Sequence, residues 1–330
     1  DSLYWINTTY GLLYTERLLK VLRNMEKIFI TGGAGYLGRH LVEHYYNDNE
    51  ITVFSRDEAK HVYLKKKFPK INCIIGDIRN FDLLKRASKD HTIGIFPASI
   101  KHIESVDQNV EEGVNILVHG AINSRRIAEE NEFKAACFIS SDKSRAATTL
   151  YGAMKFIAGE SFIIDAEQSK VKLSTAIYGN VLNSTGSIIP LIWDSIKNKY
   201  SLTLYSEQMT RYMIDIQQAV TLVTLGLKTT GYNVIPNLQA FKVKDLFEIY
   251  ADRFGLKYTL GSPRISEKLH EMMVANEEVS RTHYNPEEDT FYMHYKDIAK
   301  SPIKDEMTSD KVTVSKEDLL KCLENYDYFK

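Results

Sequence analysis

The chain has 330 residues, 44% of them hydrophobic and 26% charged, with a formal net charge of -1. That composition suits a soluble globular protein with a proper core, in one large domain or two modest ones. The charge balance recommends neither nucleic acid nor an anionic membrane as partner.

Residues 1–24 interrupt their apolar positions with Glu16, Arg17 and Lys20, unlike a signal peptide. They read as an extension without an assigned role, an amphipathic helix at most, and Met25 marks the expected natural start. "KIFITGGAGYLGRHLVEHYY" reads as strand, glycine-rich turn and helix. "ITVFSRD", "INCIIGDIRN" and "TIGIFPAS" follow as the next strands, with Lys65, Lys66 and Lys67 on the solvated face of a helix around residues 57–68. "VNILVHGAINSRRIAEEN" is helical, and "KAACFISS" and "VKLSTAIYGNV" are strands again. This alternation predicts an α/β fold, a Rossmann-like doubly wound parallel sheet with ligands beyond the carboxyl ends of its strands. The rhythm breaks near residue 181. Residues 25–180, with a return segment at about 211–238, are expected to form the nucleotide-binding domain, and 181–210 with 239–330 a smaller mixed α/β substrate lobe. No apolar stretch approaches the roughly 20 residues of a membrane span. Cys73, Cys137 and Cys322 have no metal-ligand spacing, and Cys73 and Cys137 sit in apolar strand-like runs, so those two are expected as buried thiols in a reducing, cytoplasmic compartment, with no metal.

Gly32, Gly35 and Gly38 in "TGGAGYLG" have dinucleotide-turn spacing, after a strand and at the start of a helix. Glycines admit the pyrophosphate to backbone N–H groups, and the helix presents its positive end. The turn residues Gly32, Gly35, Tyr36, Leu37 and Gly38 are therefore candidate cofactor contacts. An NAD site wants an acid at the end of the next strand. Here Ser55-Arg56 stands there, a hydroxyl and a guanidinium suited to a 2′-phosphate, which favours NADP over NAD. Asp57 follows directly, and its other reading is the cap of the next helix. Asp77 and Ile78, after the third strand, stand where such folds flank adenine.

Tyr151 and Lys155 form a YxxxK pair on one helical face. An ammonium beside the phenol is expected to draw its pKa toward neutrality and make a base, with Ser140 or Ser141 completing the set. Oxidation of an alcohol needs no more. The adjacent Asp142-Lys143 supplies an acid and a base, which elimination of water does need; the plainer alternative is a solvent-exposed ion pair in a loop.

With these residues the chain resembles the inverting UDP-N-acetylglucosamine 4,6-dehydratases of pseudaminic acid type pathways, which are extended short-chain dehydrogenases. The motifs "TGGAGYLG", "SRDEAKH", "GDIRN", "IKHIE", "SSDKSRAATTLYGAMK", "YGNV", "TGSIIP", "MTRYMI" and "EKLHEMM" recur in order, from about Met25 to Met273. The Asp-Lys dyad discriminates most: retaining dehydratases have Asp-Glu there, and 4-epimerases have neither.

The resemblance implies a lyase that uses tightly bound NADP. Tyr151 takes the hydroxyl proton as hydride leaves C-4, Lys143 takes the C-5 proton, Asp142 helps water leave C-6, and C-5 is inverted. It further implies Arg211 and Arg264 at the diphosphate, and Asn180 and Ser187 in the same cleft. Ser140 and Glu267 are implied on the substrate, and Lys101 near both sugar and nicotinamide, with His102 structural. Relatives associate beside the tyrosine helix, implying a homo-oligomer. Phe96-Pro97-Ala98-Ser99, Ala147, Thr149, Ile177 and Thr185 depart from the family pattern. The rival readings are a UDP-hexose 4-epimerase or keto-sugar reductase, which needs no dyad, and a non-catalytic NADP-binding regulator.

Overall fold

The computed structural model describes residues 25–100, 103–262, 266–297 and 300–329. The extension 1–24, Lys101, His102 and Arg264 lie outside the described residues.

Short apolar runs make the central strands: β1 (Lys27–Thr31), β2 (Glu50–Ser55), β3 (Asn72–Ile75), β4 (Ile93–Phe96), β5 (Ala135–Ile139) and β6 (Lys172–Ala176). Every residue of β4 and β5 is buried, as strands covered on both faces require. The later strands are β7 (Asn180–Val181), β8 (Leu202–Leu204), β9 (Thr210–Ile214), β10 (Tyr232–Pro236), β11 (Ala240–Lys242), β12 (Tyr258–Leu260), β13 (Met272–Val274), β14 (Thr282–Asn285), β15 (Thr290–His294) and β16 (Met307–Thr308).

Among the described residues, nine strands form one sheet in the order β14-β15-β10-β6-β5-β4-β1-β2-β3. From β10 to β3 the pairing is parallel, with crossover helices on both faces. The hairpin β14–β15 joins the β10 edge antiparallel. This corrects the boundary expected from the sequence: residues 282–294 belong to the main sheet, not to the substrate lobe. Their polar members His283 and Asn285 on an edge strand hide the pairing from a reading by apolar runs. The return segment divides as well. Its β10 joins the main sheet, whereas β9 pairs with β7 and β11 in a small separate sheet.

One apolar layer packs Phe96, Phe138 and Phe162 on one sheet face, with Phe138 and Phe162 stacked at 5.6 Å. Each such ring contributes roughly 1.5–3 kcal/mol by leaving water. The opposite face is covered by Leu41, Tyr45 and the helix Ile216–Gly226. The lobe has its own core around Ile189, Ile192, Phe241, Phe247, Tyr250 and Leu319. Cys137 is buried in β5, and its burial pushes the thiol up to about 12. Cys73 on edge strand β3 and Cys322 are only partly buried, short of the full burial expected for Cys73. Among the described residues no helix is long and apolar enough to cross a membrane.

Candidate active site

β1 delivers the chain into the glycine turn. A Cβ on Gly38 would stand 2.4 Å from the Gly32 carbonyl oxygen and 2.5 Å from Gly33 Cα, so only glycine lets the turn fold back on its helix. The helix Tyr36–Tyr45 starts at Gly35 with neither a side-chain cap nor an acid in its first turn, leaving its amides and positive end open to an anion.

Two hollows meet over this turn. The larger, about 270 Å³, has Gly32, Gly35, Tyr36, Leu37 and Gly38 on one wall and Ser140, Ser141, Tyr151, Lys155, Asn180 and Ser187 on the other. The smaller, about 180 Å³, is lined by Ser55, Arg56, Asp57, Lys60, Asp77 and Ile78. Both include Gly32, Gly35, Pro97 and Ser99, so they form one cleft across the carboxyl ends of the strands. In the smaller hollow Asp57 is committed: it accepts from the Lys60 amide at 3.0 Å as helix cap and pairs with Lys60 Nζ at 2.8 Å. Ser55 Oγ bonds His61 Nε2 at 2.6 Å, and Arg56 stays largely exposed, 3.9 Å from Asp77.

The loop leaving β5 turns at once into the short helix Asp142–Ser144. Asp142 is 0% exposed and lies 3.2 Å from Lys143 Nζ; the Lys143 side chain keeps 23% of its surface open and reaches Asn180 Oδ1 at 3.5 Å. This is no solvent-facing loop pair. Burial raises the Asp142 carboxyl above its usual range, against the attraction of Lys143. Burial also opposes charge on Lys143, but the carboxylates of Asp142 and Glu271 outweigh it and hold the amine more firmly protonated than in water.

Thr149 caps the helix Leu150–Ile163, accepting from the Gly152 amide at 3.1 Å, and so brings Tyr151 to the cleft. The electrostatics differ from expectation here. Burial pushes the phenol up to about 12, and the cation that acts on it is Lys143, not Lys155. Lys155 donates to the Ile139 carbonyl at 2.9 Å and is pushed by burial down to about 7. The hydroxyl partner is also another one. Ser140 Oγ donates to Lys155 O at 3.4 Å and Ser141 Oγ to Asp142 at 2.9 Å, while Ser99, whose Oγ donates to the Ile100 carbonyl at 2.9 Å, is the hydroxyl that favours the ionised form of Tyr151.

Gly152 couples this helix to the dyad. A Cβ there would meet the Lys143 carbonyl oxygen at 2.3 Å and Ala147 Cβ at 3.2 Å. On an open helix Gly→Ala gains about 1 kcal/mol. Gly152→Ala should reverse that sign and lower the urea midpoint, because backbone must move; a raised midpoint would show the loop yields freely.

Arg211 and Glu267, both expected on the substrate, face each other. Arg211 is 9% exposed; it donates to Thr210 O at 2.8 Å and Leu269 O at 3.2 Å, and it pairs with Glu267 at 3.1 Å and Glu271 at 3.5 Å. Its donors brace the segment 266–271. Two members of the site escaped the sequence reading. Ser99 stood among the departures from the family pattern, and Glu271, in "EKLHEMM", lies 3.2 Å from Lys143 Nζ. Only the motif itself signalled Glu271.

A family model described as polysaccharide biosynthesis protein matches residues 28–292. The chain is 33% identical over 280 residues to an uncharacterized membrane protein of Methanocaldococcus jannaschii, covering 79% of this chain and 83% of that one. It is 30% identical over 272 residues to the inverting UDP-N-acetylglucosamine 4,6-dehydratase of Campylobacter jejuni, covering 79% and 80%. At 29% identity over 269 residues it also matches a UDP-glucose 4-epimerase of Rickettsia massiliae, covering 77% and 79%. Among solved structures, the X-ray structure of Pen from Bacillus thuringiensis superposes with a TM-score of 0.87 at 25% identity, over 93% of this chain and 99% of that one.

Proposed function

As the chain belongs to the polysaccharide biosynthesis protein family, together with the inverting UDP-N-acetylglucosamine 4,6-dehydratase, we propose that it removes water from UDP-N-acetylglucosamine with bound NADP. One observation carries this reading. Asp142 and Lys143 form a buried acid-base pair beside Tyr151, which oxidation or epimerisation at C-4 does not require.

The nicotinamide, when bound, would take hydride from C-4 and return it to C-6. The chain supplies the proton transfers. Tyr151 takes the proton of the C-4 hydroxyl, helped by the Lys143 charge and the Ser99 hydroxyl against the burial that raises its pKa. Shift of one proton from Lys143 Nζ to Asp142 turns the ion pair into a free amine and a carboxylic acid. Those are the base for the C-5 proton and the acid for the departing C-6 hydroxyl. Burial raises Asp142 and so readies it to accept that proton, while the carboxylates of Asp142 and Glu271 keep the proton on Lys143 until the shift occurs. Reprotonation of C-5 from the face opposite Lys143, by a different proton, inverts that centre.

Ser55, Arg56 and Lys60 hold the 2′-phosphate in this reading, with Asp57 already spent as a cap. The diphosphate in this reading is met by Arg211 and Arg264 and by the N-terminus of the helix Ile188–Asn198, whose Ser187 hydroxyl is buried without a partner. Exposed Phe156, Ile157 and Ile164 near the tyrosine helix fit the homo-oligomer implied by resemblance.

The epimerase relative favours a second reading, since Tyr151 and Lys155 alone suffice for it. Incubating the protein with UDP-N-acetylglucosamine and NADP should give a product lighter by one water in mass spectrometry, with less when NAD replaces NADP. An isobaric product would establish the epimerase, and no turnover beside tight NADP binding would establish the regulator.

A further inference from the structure

Lys143 has carboxylates on two sides. Its Nζ is 3.2 Å from Asp142 Oδ1 and 3.2 Å from Glu271 Oε1, and both acids are almost wholly buried. Arg211 Nε stands 3.5 Å from Glu271, and Arg211 Nη2 lies 3.1 Å from Glu267, so charges of alternating sign succeed one another in contact from Glu267 to Asp142. An ion pair kept only for stability would satisfy all its oxygens. Here the outer oxygens Asp142 Oδ2 and Glu271 Oε2 are buried with no hydrogen-bond partner. Each is a place where a proton can rest without displacing a bond.

We propose that Glu271 is a positioning residue of the dyad: it shares Lys143 with Asp142 and sets the pH range in which that pair holds a single proton. The inference rests on the dehydratase reading only where it concerns turnover.

The charged and titratable groups facing Lys143 come from every element packed around it. Asp142 and Tyr151 lie on the β5 side, Arg211 and Tyr212 on β9, and Lys268 and Glu271 on the segment before β13. Arg211 and Lys268 disfavour a proton on Lys143, and the two acids favour it. The Glu271 charge acts in one direction on both dyad members, favouring the protonated form of Asp142 and of Lys143. Both must therefore lose protons at lower pH once that charge is gone.

Lys143 can be titrated directly by trace acylation with acetic anhydride, read by peptide mass spectrometry across a pH series, because its side chain is 23% open. In Glu271→Gln the labelling curve should move to lower pH by roughly 1–3 units, the effect of one close charge, so that labelling at any one pH on its rising limb increases roughly 10- to 1000-fold. Glu271→Asp, which keeps the charge, should stay near wild type. A Gln curve superimposed on wild type overturns the proposal, and so does an Asp curve displaced as far as the Gln curve. In turnover of UDP-N-acetylglucosamine, both limbs of the kcat/KM profile should move down together in Glu271→Gln. A profile reduced in height with its limbs in place would mean mere structural support and would also overturn it. Labelling needs no substrate, so a wild-type protein inactive on this sugar removes the dehydratase reading and leaves the Glu271 result standing on its own.

Discussion

Lys143→Met should abolish dehydration while leaving NADP bound. A positioned acid-base group contributes roughly 10²–10⁴-fold in rate, and loss of the amine disables Asp142 as well, because the proton that arms it comes from Lys143. Methionine keeps the aliphatic stem, so the cleft wall stays filled. The same change leaves two buried carboxylates facing each other without their shared cation. Breaking a buried pair by removing one partner costs roughly 3–5 kcal/mol. The lower end applies here, since Arg211 and Lys268 still attract Glu271. The pH dependence of that loss has a definite sign. Without Lys143 the Asp142 carboxyl, already raised by burial, has a folded-state pKa still further above its unfolded one, so its share of the deficit is full at neutral pH and shrinks as pH falls through that raised value. Urea midpoints at neutral and mildly acid pH, beside NADP binding by tryptophan quenching, measure both effects. Wild-type turnover in the variant would remove Lys143 from the chemistry, and a deficit that grows on acidification would mean the carboxylates are not its cause.

The parts legible from sequence are those where chemistry and locality coincide. Strands β1, β2 and β4 to β6 announce themselves as short apolar runs because they are buried on both faces, and the glycine turn because Gly38 tolerates no Cβ. Asp142-Lys143 and Tyr151 could be named because one loop and one helix carry them in succession. Thr149, which looked like a departure, is a cap in the structure and does what an asparagine there would do. The parts that escaped come from long-range pairing. That Arg211 meets Glu267 depends on a segment far along the chain, and Glu271 meets Lys143 only because β13 returns its preceding loop to the dyad. The phenol of Tyr151 was misjudged for a different reason. Spacing on a helix shows that Lys155 is near, but not that its ammonium is turned to the Ile139 carbonyl or that burial dominates. Local pattern gives neighbours; it does not give the dielectric around them.

Arg145→Met should be the most damaging single change to stability in the chain, at about 3–5 kcal/mol. Arg145 follows the dyad turn directly and is 0% exposed, the largest fully buried side chain among the described residues. Its Nη1 bonds Glu278 at 2.7 Å and Glu160 at 3.0 Å, its Nε bonds Ser144 Oγ at 3.2 Å, and its guanidinium lies 5.0 Å from the Phe156 ring. Arg281 completes the group, 2.7 Å from Glu278 and 3.5 Å from Glu160. Two cations thus balance two acids, drawn from the dyad loop, the tyrosine helix and the segment that leads into β14. Removing Arg145 leaves a net negative charge on a cluster that water reaches only in part, since Glu278 is almost wholly buried and Glu160 keeps 22% of its side chain open. Arg145→Lys should recover only part of the loss, because an ammonium has no planar fork to meet two carboxylates and a hydroxyl together. Arg145→Met combined with Glu160→Gln should be more stable than Arg145→Met alone, since it restores one cation to one acid. Urea midpoints of the four proteins decide the matter. If the double variant is no better than the single one, packing against Phe156 and Met293, and not charge, is what Arg145 provides.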